Sequence, residues 1–286
     1  MFAIRGGGHT VVTGERVYRA GVGLLPSIDS SANLPPAQIC LLGNFRLMKF
    51  GRAVPTTRRA KIVTLLSNLG LHWEHGMRRD ALLLTLWPSG DRLLARQSLN
   101  SLVHSLRRMF ADAIDADGPV RYTDGAYRLN LEAGVAVDVA QFEHLVTAAD
   151  RYRVAGEPAA AQRLYAAAVD LYRGDLCMDT EPQDVIERER LRSTYLAALG
   201  NLAEHHYAHG DMESCLMYAS KLLGVEPCRE DAHRLAIRCY HQLGQRAQAL
   251  RQFRLCERVL RMEFDAAPEP ETIALFDRIR LDPGSV

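Results

Sequence analysis

Between Arg92 and Ala111 the chain carries amide, imidazole, hydroxyl and guanidinium groups at helical spacing and not one carboxylate. With Leu106 at the centre of one face, a turn of 100° per residue puts Ala95, Leu99, Leu102, Val103, Met109 and Phe110 within about 60° of it. Gln97, Asn100, Ser101, His104 and Arg108 then occupy the opposite side, with Arg96 and Arg107 on the flank. These polar groups are the kind that hydrogen-bond base edges and phosphates in the major groove of DNA. A solvated amphipathic helix usually carries glutamate and lysine on its outer side, so the missing acids favour nucleic-acid reading over a plain surface helix.

Such a helix needs a frame. Around Ile39–Val54, Phe45, Leu47 and Lys49 alternate with Arg46, Met48 and Phe50, which suits short strands turning near Gly51. After Thr57, Ile62, Leu65, Leu66 and Leu69 fall at i, i+3, i+4 and i+7, one face of a helix expected to close at Gly70. A second helix turns Leu82, Leu83, Leu86 and Trp87 inward and stops at Pro88. Trp87 and Met109 are expected in the core, and His72–His75 in a turn between helices. Two β-prone runs around Asp124-Gly125, within Arg121–Leu129, predict a hairpin. Strands, three helices and a closing hairpin make a winged helix, the helix-turn-helix variant that lays its last helix in the major groove. In that frame Arg58, Arg59, Arg78 and Arg79, at or near the starts of the first two helices, face the sugar-phosphate backbone. Arg121, Tyr122 and Arg128 lie on the wing.

Charge supports the division. The 286 residues total +1, but residues 38–131 hold fourteen basic against seven acidic side chains, and residues 132–286 hold eighteen against twenty-five. A basic segment joined to an acidic one points to a nucleic-acid-binding half and a half with another task. The length leaves room for two domains, and 48% hydrophobic with 24% charged residues excludes collagen, a coiled-coil rod or a disordered chain. The most apolar stretch, Ala81–Trp87 with only Thr85 polar in it, is far below the ~20 residues needed to span a bilayer. The opening Met-Phe-Ala-Ile-Arg-Gly-Gly-Gly lacks the pattern of a secretory leader, and the six cysteines form no CxxC pair. Reduced thiols and a cytoplasmic location are expected. Residues 1–37, with Gly6–Gly8, Ser30-Ser31 and Pro35-Pro36, are expected to be a poorly ordered extension ending in a linker.

The acidic half reads as helices throughout and repeats itself. Gly210 and Gly244 open similar stretches 34 residues apart, the tetratricopeptide period, and Gly156 opens a third 54 residues before Gly210, implying an insertion of about 20 residues. Five residues past each glycine stand Ala161, Cys215 and Ala249; nine past stand Tyr165, Ala219 and Phe253. Small residues at the first position let antiparallel helices approach, and such pairs must stack to bury a core.

Other constellations carry less. His205 and His209 have metal-ligand spacing without a completing ligand nearby. No nucleophile elbow, zinc-protease, phosphate-loop or Cys/His pattern is present, so no catalytic residue, metal or cofactor is expected.

Over about residues 38–280 the sequence resembles the SARP-type antibiotic regulatory proteins, an OmpR/PhoB-class winged helix followed by a bacterial transcriptional activator domain. The resemblance lies in LLTLWP at 83–88, AR at 95–96, SLRRMF at 105–110 and AYRL at 126–129. It continues in VDVAQFEHL at 137–145, DLYRGDL at 170–176, ERERLR at 187–192, EPCREDAHR at 226–234 and GQRAQALRQF at 244–253. The resemblance implies a mainly α protein: a winged helix-turn-helix domain over 38–131, then an all-α tetratricopeptide-like domain over 132–286. It further implies a non-enzymatic activator that binds double-stranded promoter DNA at direct repeats, contacts RNA polymerase holoenzyme, and pairs on DNA as a homodimer. Asn100 and Ser105 stand where the family is commonly basic, and Ala126 where a wing glycine is usual, which bears on the bases read. The competing reading is a helical-repeat adaptor or effector-binding protein with a vestigial winged helix.

Overall fold

The structure, a computed structural model, describes residues 34–56, 59–114, 118–178 and 182–281. Most of the expected N-terminal extension lies outside the described residues, as do Thr57 and Arg58. The chain forms two compact units. The described residues up to Ile39 join Leu47–Ala136 in one, and Cys40–Arg46 join Val137 onward in the other.

The first unit begins with β1 (Ala37–Cys40), β2 (Arg46–Lys49) and β3 (Arg52–Ala53); with β7 (Val135–Val137) they run in the order β3-β2-β1-β7. Phe50 and Gly51 both take positive φ between β2 and β3, which a two-residue hairpin turn needs to match strand twist. Three helices follow, α1 (Ala60–Leu71), α2 (Arg79–Leu86) and α3 (Arg92–Met109), with the short strand β4 (Met77–Arg78) ahead of α2. The second hairpin, β5 (Val120–Thr123) and β6 (Ala126–Leu129), turns through Asp124 and Gly125, again both at positive φ, and β4 pairs with β6. Ile62, Leu65, Leu66 and Leu69 of α1, Leu82, Leu83 and Leu86 of α2, and Ala95, Leu99, Val103 and Leu106 of α3 are all buried.

Three expectations need correction here. Gly70 does not close α1. It is buried inside the helix, which runs on to Leu71, and the His72 N–H bonds the Asn68 carbonyl at 3.1 Å. Trp87 is half-buried because Pro88 ends the helix at that point, and its ring lies under the Lys61 ammonium at 5.6 Å. Met109 is half-buried at the end of α3, with its sulfur 3.6 Å from Arg59 Nη1.

The second unit is helical: α4 (Asp138–Val154), α5 (Pro158–Leu171), α6 (Pro182–Ala208), α7 (Met212–Val225), α8 (Glu230–Gln242), α9 (Arg246–Phe264) and α10 (Pro270–Leu281). Consecutive helices pack on one another from α4 to α10. Gly156, Gly210 and Gly244 sit at positive φ between paired helices, a left-handed turn that side chains disfavour. The repeat positions behave alike: Ala161, Cys215, Ala249, Tyr165, Ala219 and Phe253 are all buried. The expected insertion is the Tyr172–Met178 connection followed by the 27-residue α6. In it Tyr172 stacks on Tyr195 at 4.1 Å and its hydroxyl donates to Asp175 at 2.9 Å.

Cys40–Arg46 reaches this unit through backbone pairing. The Asp138 carboxylate accepts N–H bonds from Leu41 (2.8 Å), Leu42 (3.0 Å) and Val139 (2.9 Å). Leu42 bridges Leu176, the Cys177 N–H donates to Leu41 O at 2.9 Å, and the Gly43 N–H to Asp175 O at 2.9 Å. Burial pushes the Asp138 carboxyl up from its ordinary range, and the three N–H donors pull it back towards the charged form. Among the described residues no helix is long and apolar enough to cross a membrane.

Candidate nucleic-acid interface

Helix α3 starts at Asp91, whose carboxylate accepts the Leu93 and Leu94 N–H groups at 2.7 and 3.2 Å and so fixes the first turn. Arg107 and Arg108 fall in its last turn, where cations suit the helix dipole. With the apolar stripe packed inward, Arg96, Gln97, Asn100, Ser101, His104, Arg107 and Arg108 are all exposed. One face of one helix therefore carries the whole expected set.

The flanking groups divide into free and engaged. Arg78 and Arg128 are exposed, and Arg59 is exposed beside Met109. Arg58 lies outside the described residues. Arg79 is half-buried: its guanidinium lies 4.1 Å from the Tyr122 ring centroid, and its N–H donates to Gly125 O at 3.1 Å. Tyr122 in turn meets Tyr127 at 4.7 Å, and the Tyr127 hydroxyl donates to Asn100 Oδ1 at 3.4 Å. A chain of contacts thus runs from the start of α2 through the hairpin to the middle of α3. Arg121 and Arg128 stand directly opposite each other across β5 and β6, and Arg121 pairs with Glu132 at 2.7 Å. Like charges so placed repel unless an anion sits between or beside them. Arg96 approaches Asp80 at 3.8 Å, with both side chains more than half exposed, so that contact is weak.

Four residues outside the expected site set take part or lie beside it. Tyr127 positions Asn100, and only its place in the AYRL stretch hinted at a role. Lys49 bonds Met109 O at 3.2 Å and pairs with Asp112, tying β2 to the end of α3 and lowering the Asp112 pKa through that hydrogen bond. Arg92 and Ser105 are exposed on α3 as well. The His205 and His209 rings lie 4.2 Å apart in the second unit, and among the described residues no group of three potential metal ligands occurs.

Residues 137–280 match the family described as the bacterial transcriptional activator domain. The chain is 28% identical over 257 residues to the regulatory protein DnrI of Streptomyces peucetius, covering 86% of this chain and 93% of that one. It is 25% identical over 243 residues to the regulatory protein AfsR of Streptomyces coelicolor, covering 84% of this chain and 24% of AfsR. The transcriptional regulatory protein EmbR of Mycobacterium tuberculosis is 26% identical over 243 residues, 84% of this chain and 62% of EmbR. The chain thus spans a quarter to under two thirds of the length of AfsR and EmbR. A solved structure of M. tuberculosis EmbR in complex with a low affinity phosphopeptide superposes with a TM-score of 0.66 at 24% identity, over 86% of this chain and 65% of that one. That likeness shows a shared fold, a winged helix followed by helical repeats. On these matches, and with the stretches at 137–145, 170–176, 226–234 and 244–253 in the matched residues, this chain belongs to the bacterial transcriptional activator domain family of SARP-type regulators.

Proposed function

We propose that this chain is a sequence-specific DNA-binding transcriptional activator in which the first unit reads promoter DNA and the second engages the transcription machinery. The observation that carries the reading is the acid-free outward face of α3, seven exposed polar or basic side chains opposite a buried apolar stripe. Gln97, Asn100, Ser101 and His104 supply base-edge donors and acceptors, and Arg96, Arg107 and Arg108 reach phosphates or guanines. Arg59, Arg78, Arg79, Arg121, Tyr122 and Arg128 flank that face and add affinity without sequence information, a role the sequence also assigns to Arg58, which lies outside the described residues. The names of DnrI, AfsR and EmbR, all regulatory proteins, support the same reading. Binding at direct repeats as a pair of copies, recruitment of RNA polymerase holoenzyme, a cytoplasmic location and the absence of any catalytic role complete the proposal.

A gel shift with the full chain and the DNA upstream of its own gene tests the proposal, with a scrambled duplex of equal length as competitor. Specific retardation that survives the competitor and weakens with salt is the expected result. Retardation no better than that of the scrambled duplex would leave the adaptor reading in its place.

A further inference from the structure

The second unit holds one helix whose outer side departs from its acidic surroundings. On α9, Ala249, Phe253, Cys256 and Leu260 are buried, and they define the inward direction. At 100° per residue, Arg251, Arg254, Leu255, Arg258, Arg261 and Met262 fall within about 70° of the opposite direction. All six are exposed, Leu255 at 46% and Met262 at 79%. The helix's two acids, Glu257 and Glu263, lie on its flanks and not on this side. A fifth arginine, Arg246, is used structurally, since its guanidinium caps the carbonyls of Ile279 (3.0 Å) and Arg280 (2.9 Å) at the end of α10. The outward four have little to hold. Arg251 bonds Gln248 at 3.0 Å, Arg261 reaches Glu257 at 3.5 Å, and among the described residues Arg254 and Arg258 have no ion pair within 4 Å.

Seven surplus acids in residues 132–286 make a basic side here the least expected charge arrangement for solubility alone. Two apolar side chains set among the arginines add a second signal, because exposed Leu and Met gain nothing from water. Arginine and methionine are enriched in protein–protein contact regions. A nucleic-acid surface would instead call for polar or aromatic side chains between the cations. We infer that the outward side of α9 is a docking surface for an acidic protein segment that presents apolar residues at helical spacing. Carboxylates would pair with Arg251, Arg254, Arg258 and Arg261 while apolar side chains cover Leu255 and Met262. This surface is independent of DNA reading by the first unit.

The test uses the full chain and a fluorescent synthetic helical peptide of glutamate and leucine, with leucine at i, i+3, i+4 and i+7. Control peptides replace leucine by serine, or glutamate by lysine. At about 0.15 M salt, where long-range charge effects are screened, the glutamate–leucine peptide should bind. Arg254→Glu with Arg258→Glu should weaken that binding at least about tenfold, leave Tm and upstream-DNA binding unchanged, and admit the lysine–leucine peptide. Met262→Ser should weaken it severalfold with no change in charge. The inference is overturned if the peptide fails to bind the wild-type chain, if the double variant binds it equally well, or if the glutamate–serine peptide binds as tightly. Displacement of the peptide by a random duplex would make the surface a nucleic-acid site. Concentration-dependent dimerisation abolished by the double variant would make the occupant a second copy. Loss of upstream-DNA binding by the wild-type chain would bear on the proposed function alone.

Discussion

Helices α3 and α9 are built alike and finished differently. They span 18 and 19 residues, each buries four side chains along one stripe, and each turns an acid-free side to solvent. Past the exposed Leu93 and Leu94 of its first turn, α3 offers on that side Gln97, Asn100, Ser101 and His104 between arginines, groups that donate and accept in fixed directions. On α9 the spaces between arginines hold Leu255 and Met262, which offer area and no direction. The inward stripe decides that a helix forms and where it packs; the few side chains between the cations decide what the outward side can recognise. The α3 stripe follows from period alone, but the two partner chemistries follow from single residue identities.

The largest effects should come from the inward sides, where the two helices are alike. Phe253 is buried and stacks on Phe276 at 4.0 Å, and Phe253→Ala should cost roughly 3–5 kcal/mol of stability. Leu106→Ala on α3 should cost roughly 2–5 kcal/mol, since Leu106 is fully buried. Urea midpoints of the two variants check both; an unchanged midpoint for Phe253→Ala would mean that the repeat register is misassigned.

The outward sides should differ in kind. Asn100→Ala should lose about 1–3 kcal/mol of discrimination between target and random DNA at nearly constant salt slope. It should have no effect on binding of the acidic peptide to α9. Isotherms on both duplexes at three salt concentrations measure this, and an intact target-to-random ratio would show that Asn100 serves the hairpin through Tyr127 and not the bases. Arg78→Ala should weaken both duplexes together and flatten the salt slope by about one ion. Parallel slopes for wild type and variant would remove Arg78 from the backbone contacts.

The smallest effect is one of pH and touches the second unit only. His233 is buried with one ring nitrogen donating to Pro227 O at 2.9 Å and the other accepting from Gln252 of α9 at 2.8 Å. Burial holds its imidazole below the usual value near 6.5, against pulls from Pro227 O, Glu230 and Asp231. The neutral ring is therefore favoured in the folded state. Its stabilisation is complete above about pH 6.5 and fades as the pH falls below that value towards the folded pKa. Melting curves from pH 7.5 to 5.5 should show this loss, and His233→Gln should flatten it. Equal slopes for the two proteins would exclude His233 as the source.

Much of this was legible in the residues. The stripe through Leu99, Val103 and Leu106, the hairpin at Asp124-Gly125 and the repeat positions from Ala161 to Phe253 are local patterns, and local patterns survive folding. Strand β4, two residues long, has no period to detect, and its pairing of Met77 with Tyr127 depends on residues fifty positions away. Half-burial of Trp87 depends on where Pro88 leaves its ring. The contact of Asn100 with Tyr127 joins α3 to β6 across 27 residues, with no local pattern to announce it. On α9 the arginines were visible as charge, but only the burial of Ala249, Phe253, Cys256 and Leu260 shows which way they face.

The Asp138 carboxylate sets a timetable for synthesis. Its partners Leu41 and Leu42 leave the ribosome nearly a hundred residues earlier, and at about 5–20 residues per second that is a wait of roughly 5–20 s. During that interval the Cys40–Arg46 segment exists without its acceptor, while the strands and helices on either side of it emerge. The first unit can begin to collapse in this time, but its early segment is claimed only when the start of α4 appears. A nascent chain stalled before Asp138 would therefore present two unclaimed backbone N–H groups beside a half-built sheet, an edge open to pairing with another chain.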